Sequence, residues 1–115
     1  MTNKTCDLLN KHCVPCEGGV DPLTAQEAQK FLEDLPGWNC NDDHTIITKI
    51  FKFKGYYKTI AFVNAIAWIA QSENHHPDLE VSYNQCTVHF STHAINGLSE
   101  NDFICALKVE KLINP

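Results

Sequence analysis

No run of lysines or arginines occurs anywhere in the chain, and its formal net charge is −5. Proteins that hold nucleic acid non-specifically neutralise phosphates with a basic patch, so DNA or RNA is not an expected partner. A long hydrophobic run is missing too. The most apolar stretch, Ile60 to Ala70, falls well short of the roughly 20 residues that span a bilayer. The opening Met1-Thr2-Asn3-Lys4-Thr5-Cys6-Asp7 lacks the apolar core of a signal peptide, so a cytoplasmic protein is expected. Internal repeats and low-complexity tracts are absent as well.

What is there suits one globular domain: 115 residues, 43% hydrophobic and 20% charged, enough for a real core but too few for two. Six cysteines without a secretory signal read as reduced thiols rather than a disulfide framework. Cys86 and Cys105 fall in a predicted strand and helix, where free cysteine packs as a small apolar residue. Residues 1–21 read as an N-terminal arm, polar and punctuated by Pro15 and Gly18-Gly19, with residues 22–115 as the single domain. Cys13-x-x-Cys16 in that arm is one pair where a zinc site needs four ligands, even with His12 adjacent and Cys6 nearby. A reduced, flexible arm is expected, with an oxidisable dithiol as the other option.

The elements follow from periodicity and capping. Thr24 followed by Glu27 is a capping box. Ala28, Phe31, Leu32 and Leu35 then recur at helical spacing until Pro36-Gly37 stops the helix. Trp38 to Cys40 is a short strand, Asn41-Asp42-Asp43 a turn, and Thr45 to Lys54 a second strand ended by Gly55. From Tyr56 to about Ser72 a helix is predicted, with Ile60, Val63, Ala67 and Ala70 as its stripe and Phe62, Ile66 and Ile69 widening it. Leu79 to Tyr83 and Thr87 to Thr92 alternate as a hairpin about a two-residue Asn84-Gln85 turn. Ser99 to Asp102 then caps a last helix running to about Leu112. The order α-β-β-α-β-β-α predicts an α+β fold, a four-stranded antiparallel sheet with three helices packed on one face.

Chemistry concentrates in Glu73-Asn74-His75-His76-Pro77-Asp78 and in Ser91-Thr92-His93. Histidine both gives and takes a proton near neutrality. Pro77 disfavours helical geometry at His76, so two imidazoles sit at a fixed corner with a third on a nearby strand end. The residues alone leave rival readings open. His75 and His76 also suit a helix C-terminus, where imidazolium complements the dipole. His93 and His89 share strand parity, so alternation does not separate them. Asp102 caps a helix whether or not it serves a site. Trp38 suits a core as well as a pocket wall.

The runs Glu73 to Asn84, Ser91-Thr92-His93 and Gly97-Leu98-Ser99-Glu100-Asn101-Asp102-Phe103 resemble the pterin-4a-carbinolamine dehydratases. Leu35-Pro36-Gly37-Trp38 and Phe51-Lys52-Phe53 are similar to the same family, and Cys13 to Gly19 is similar to the start of several bacterial members. The resemblance covers roughly residues 22 to 112, and the joint order and spacing of its motifs carry it. It implies dehydration of the 4a-hydroxytetrahydropterin made by aromatic amino acid hydroxylases to the quinonoid dihydropterin, with no metal or organic cofactor. Residue by residue it makes His75 and His93 the acid/base pair, and His76, Trp38 and Asp102 substrate-site residues. It also implies a homodimer or homotetramer. The chain departs from the pattern at Gln71, where many relatives have glutamate, and Glu73 is expected on a different helical face. Two other function classes are weighed beside it. One is metal-dependent hydrolysis with His75, His76, His93 and Asp102 as ligands. The other is a non-catalytic binding module or dimerisation coactivator on the same scaffold.

Overall fold

The computed structural model describes residues 10–14 and 21–115. Cys6, Cys16, Pro15 and Gly18-Gly19, which entered the reading of the arm, lie outside them. The elements between residues 21 and 115 are α1 (Ala25–Leu32), β1 (Asn39–Cys40), β2 (Ile47–Lys52), α2 (Tyr56–Glu73), β3 (Asp78–Val81), β4 (Gln85–Phe90) and α3 (Glu100–Ile113), with a 3-10 turn at His93–Ile95. The expected order and fold class are thus observed. The sheet is antiparallel throughout in the order β1-β2-β4-β3, so β2 and β4 form its centre.

One face of the sheet is dry. Cys86, Val88 and Phe90 alternate along β4 at 0–1% exposure, joined from β2 by Ile47 and Phe51. All three helices contribute to the same core, through Ala28 of α1, Phe62 and Ile66 of α2, and Phe103, Ile104, Leu107 and Val109 of α3. Each large apolar side chain so buried contributes about 1.5–3 kcal/mol relative to exposure. The other sheet face keeps Ile50 and Lys52 exposed and Thr48, Thr87 and His89 half-buried.

Several boundaries differ from the sequence reading, each for a local reason. Helix α1 ends at Leu32, not at Leu35, because Pro36 disfavours helical geometry before it. The chain tightens there into three-residue turns, Asp34 N–H to the Phe31 carbonyl and Leu35 N–H to Leu32, while Leu35 still reaches the core. The β3–β4 connection is Ser82 to Asn84, and Gln85 belongs to β4. Gln85 pairs with Lys52 of β2, and the Asn84 carbonyl accepts the Phe53 N–H, so pairing with β2 overrides the hairpin's own turn preference. Along α2 the buried stripe is Thr59, Phe62, Ile66 and Glu73, whereas Ala67 is exposed. Apolar residues all round the helix hid that phase.

Candidate active site

Two chain reversals set the histidines. Helix α2 ends in a Schellman motif, in which the Asn74 N–H reaches the Gln71 carbonyl and the His75 N–H reaches Ala70. Asn74 takes the left-handed conformation at φ 52°, which asparagine tolerates better than most residues. The motif throws His75 and His76 sideways off the helix, and Pro77 then starts the chain toward β3. The second reversal follows β4. Thr92 and Gly97 form an isolated antiparallel bridge, and the 3-10 turn His93–Ile95 lies between them. His93 therefore belongs to this turn and not to a strand, which corrects the expected strand end.

That turn separates the two histidines that alternation left equivalent. His89 stays on the outer sheet face, bonded to Thr48 Oγ1 at 2.8 Å and to the Glu80 carboxylate. His93 is exposed on the turn and lines a cavity of about 460 Å³ together with His75, His76, Ser91 and Thr92.

Asp102 lies behind His75 and is fully buried. As the third residue of α3 it accepts the Ser99 backbone N–H at 3.0 Å through Oδ2, which also accepts the Thr92 hydroxyl at 2.7 Å. Its Oδ1 takes His75 Nε2 at 2.7 Å. A carboxylate accepts only, so Nε2 carries the hydrogen and the neutral ring keeps its lone pair on Nδ1. The His75 ring also lies nearly parallel to Phe90, with centroids 6.1 Å apart. The helix cap and the bond to His75 are therefore made by one carboxylate.

Glu73 is a contributor that sequence reading set aside. Its carboxylate is buried at the end of α2 and accepts the Cys13 backbone N–H at 2.7 Å and Lys108 Nζ at 3.1 Å, with His12 Nδ1 at 2.8 Å. Burial alone would raise this carboxyl. The hydrogen bonds from Cys13, His12 and Lys108 outweigh it and hold the pKa at about 2. Asn101 grips the next residue from α3, its Oδ1 accepting the Val14 N–H at 3.1 Å and its Nδ2 donating to the Val14 carbonyl at 2.6 Å. The arm segment Lys11–Val14 is thereby fastened to the domain, and Cys13 and Val14 line the histidine cavity. The signal for Glu73 was present in the sequence, since it falls seven residues after Ile66 on one helical face.

Trp38 does not line this cavity. It is 4% exposed, donates Nε1–H to Glu110 at 3.1 Å, and packs against Phe51 and Phe90. Through Phe90 it backs the ring on which His75 rests. A second, more apolar cavity of about 330 Å³ lies on the other side of His75 and His76, lined by Val63, Ile66, Ala70, Gln71 and Leu79 among others. Among the described residues, no group of three His, Cys, Asp or Glu side chains is arranged to hold a metal ion, so the four candidate ligands do not converge as a metal site. Nor, among them, is any helix long and apolar enough to cross a membrane.

A small α+β domain thus brings three imidazoles, groups that can give and take protons near neutrality, to one cavity, one of them backed by a buried carboxylate. The chain belongs to the family described as pterin 4 alpha carbinolamine dehydratase, whose model matches residues 21–112. It is 56% identical over 114 residues to a Nitrosomonas eutropha protein named "Putative pterin-4-alpha-carbinolamine dehydratase", covering 98% of each chain. A Legionella pneumophila protein of the same name is 56% identical over 110 residues, 95% of this chain and 97% of that one. The fold matches the crystal structure of a transcriptional coactivator/pterin dehydratase from Brucella melitensis with a TM-score of 0.76 at 34% identity, over 80% of this chain and 98% of that one. A pterin dehydratase-like protein identified as a RuBisCO assembly factor of the alpha-carboxysome shares the fold at a TM-score of 0.59 and 20% identity, over 68% and 90% of the two chains.

Proposed function

We propose that this chain dehydrates a 4a-hydroxytetrahydropterin to the quinonoid dihydropterin, with His75 and His93 as the acid/base pair. The reaction breaks the C4a–O bond, removes the proton from N5 and forms the C4a=N5 double bond, releasing water. One group must give a proton to the departing hydroxyl while another takes one from N5. Each such transfer is typically worth about 10²–10⁴-fold.

The observation that carries the reading is the cavity shared by His75, His76 and His93 with Asp102 behind it. His75 is assigned to the N5 proton. Its Nδ1 holds the lone pair, and the buried carboxylate on Nε2 complements the positive charge the ring gains. His93, open to solvent on its turn, delivers the proton to the hydroxyl and is restored from water. His76 holds and polarises the pterin. Asp102 acts through His75, and Trp38 supports the same ring from below through Phe90. Beyond the chemistry, we assign the protein to tetrahydrobiopterin recycling in the cytoplasm, beside an aromatic amino acid hydroxylase that supplies the carbinolamine, and to a homo-oligomeric state.

The test is decay of the 4a-carbinolamine generated in situ by a phenylalanine hydroxylase, with and without this protein. Wild type should accelerate it, His75→Ala and His93→Ala should each lose most of the acceleration, and the double variant all of it. Folded wild type that leaves the decay unchanged would sink the dehydratase and leave a binding role on the same scaffold. Rates that survive in the double variant would sink the assigned pair.

A further inference from the structure

Apolar packing is the expected role of Cys105 and a reduced arm that of Cys13, yet the two thiols meet beside the cavity. Cys13, on the fastened arm, places its Sγ 3.5 Å from the Sγ of Cys105 on α3. Cys105 is fully buried one turn beyond Asn101, and its thiol also points toward the His75 carbonyl at 3.9 Å. Cys13 is half-buried and lines the histidine cavity. The two sulfurs are 92 residues apart in sequence, brought together because Glu73 and Asn101 hold the backbone on either side of Cys13. A disulfide needs the sulfurs about 2.05 Å apart, a closure of roughly 1.5 Å that one short arm segment can supply.

We propose that Cys13 and Cys105 are a peroxide-sensitive thiol pair whose disulfide locks the Lys11–Val14 segment across the histidine cavity. The division of labour follows from burial. Cys13 is the sulfur an oxidant reaches from the cavity. Cys105 keeps its proton, since its hydrogen bond to Cys13, its burial and the negative charges of Glu73 and Asp102 all push its thiol upward. Hydrogen peroxide oxidises Cys13: its sulfur takes one peroxide oxygen as S–OH, the O–O bond breaks, and the other oxygen leaves as water with the thiol's proton. The Cys105 sulfur then attacks the sulfenyl sulfur of Cys13. The S–S bond forms, the S–O bond breaks, and the departing oxygen takes the Cys105 proton as a second water. Two thiols are oxidised by two electrons and one peroxide is reduced. In a reducing compartment thiols restore the open pair by exchange, so the bond reports a peroxide pulse rather than a permanent staple.

The consequence for the cavity is that Cys13 and Val14, held by hydrogen bonds when reduced, become a covalent wall. Substrate access then falls, which rests on the dehydratase reading, whereas formation of the bond does not. The test titrates the full chain with hydrogen peroxide, maps disulfides by peptide mass, and measures carbinolamine turnover before and after dithiothreitol. The expected result is a Cys13–Cys105 peptide in wild type and in Cys16→Ser. It should be absent from Cys105→Ala, and kcat/KM should fall at least several-fold and recover on reduction in wild type and in Cys16→Ser but not in Cys105→Ala. Mapping of Cys13 to Cys16 instead, or no Cys13–Cys105 peptide from folded protein, overturns the pair. A mapped Cys13–Cys105 bond with unchanged kcat/KM overturns the lock. Failure of the reduced protein to turn over carbinolamine strikes the dehydratase reading and leaves the mapped bond standing.

Discussion

Replacing Asp102 by asparagine keeps its size and removes only its charge, and the surroundings show why the change should be severe. Three donors converge on two oxygens: His75 Nε2–H on Oδ1, and the Thr92 hydroxyl and Ser99 N–H on Oδ2. An amide offers one oxygen and one NH2. If the NH2 faces α3's start, it opposes the Ser99 N–H, and a buried donor left without an acceptor costs about 1–3 kcal/mol. If the NH2 faces His75, the helix start is kept, but Nε2 must now accept and the hydrogen moves to Nδ1. The second arrangement is the cheaper. Asp102→Asn should therefore fold with about 1–2 kcal/mol less stability, from the lost charge at a helix N-terminus and a weakened cap. It should bind pterin with little change in KM yet lose about 10²–10⁴-fold in kcat, because the ring nitrogen that takes the N5 proton is already protonated. Steady-state carbinolamine decay and a thermal melt measure both numbers. A folded variant with wild-type kcat would refute the assignment of His75 as the base oriented by Asp102.

Glu73→Gln probes the arm. With a folded pKa of about 2 against an ordinary 4.5, the depressed carboxyl contributes stability that is present above about pH 4.5 and lost as pH falls toward 2. Melting temperature should therefore drop less steeply over that window in the variant than in wild type, and identical slopes would contradict the buried ion network. Trp38→Phe loses the bond to Glu110 and should cost about 1–2 kcal/mol by denaturant titration with KM unchanged; a large KM rise with full stability would return Trp38 to the pocket wall. Gln71 lines the second cavity and not the one bearing His93, so Gln71→Glu should shift kcat/KM by less than about three-fold, or under 1 kcal/mol. A ten-fold gain would move the substrate to that side of His75. Light scattering at micromolar concentration should give at least a dimer, Trp68 and Tyr57 of α2 being 74% and 86% exposed in the single chain; a monomeric mass would contradict it.

The fold was legible because its signals were local and agreed with one another. Thr24 and Glu27 do form the predicted capping box, and the alternation from Thr87 to Thr92 does mark a buried side in Val88, Phe90 and Thr92. Patterns of period two and 3.6 are written within a few residues, so one sequence suffices to read them. Where pairing partners were distant, local rules lost. Asn84-Gln85 looked like a turn until β2 claimed Gln85 through Lys52.

The site shows the same division more sharply. His75 and His76 stand out because a left-handed Asn74 and Pro77 fix them from within their own segment. His93 could not be told from His89 by parity, since the Thr92–Gly97 bridge that redirects the chain depends on Gly97, five residues beyond Thr92 and outside the strand pattern. Glu73 was harder still. Its value lies in receiving His12 and Cys13 from about 60 positions upstream and Lys108 from 35 downstream, and no local pattern encodes such a meeting. A carboxylate on a buried helical face is nevertheless a signal in itself. Burying a charge is costly unless it is paired, so a lone glutamate in phase with Phe62 and Ile66 predicts that something must come to it. Here that something is the arm, and the partner that completes the cavity wall is read from the cost of leaving Glu73 alone.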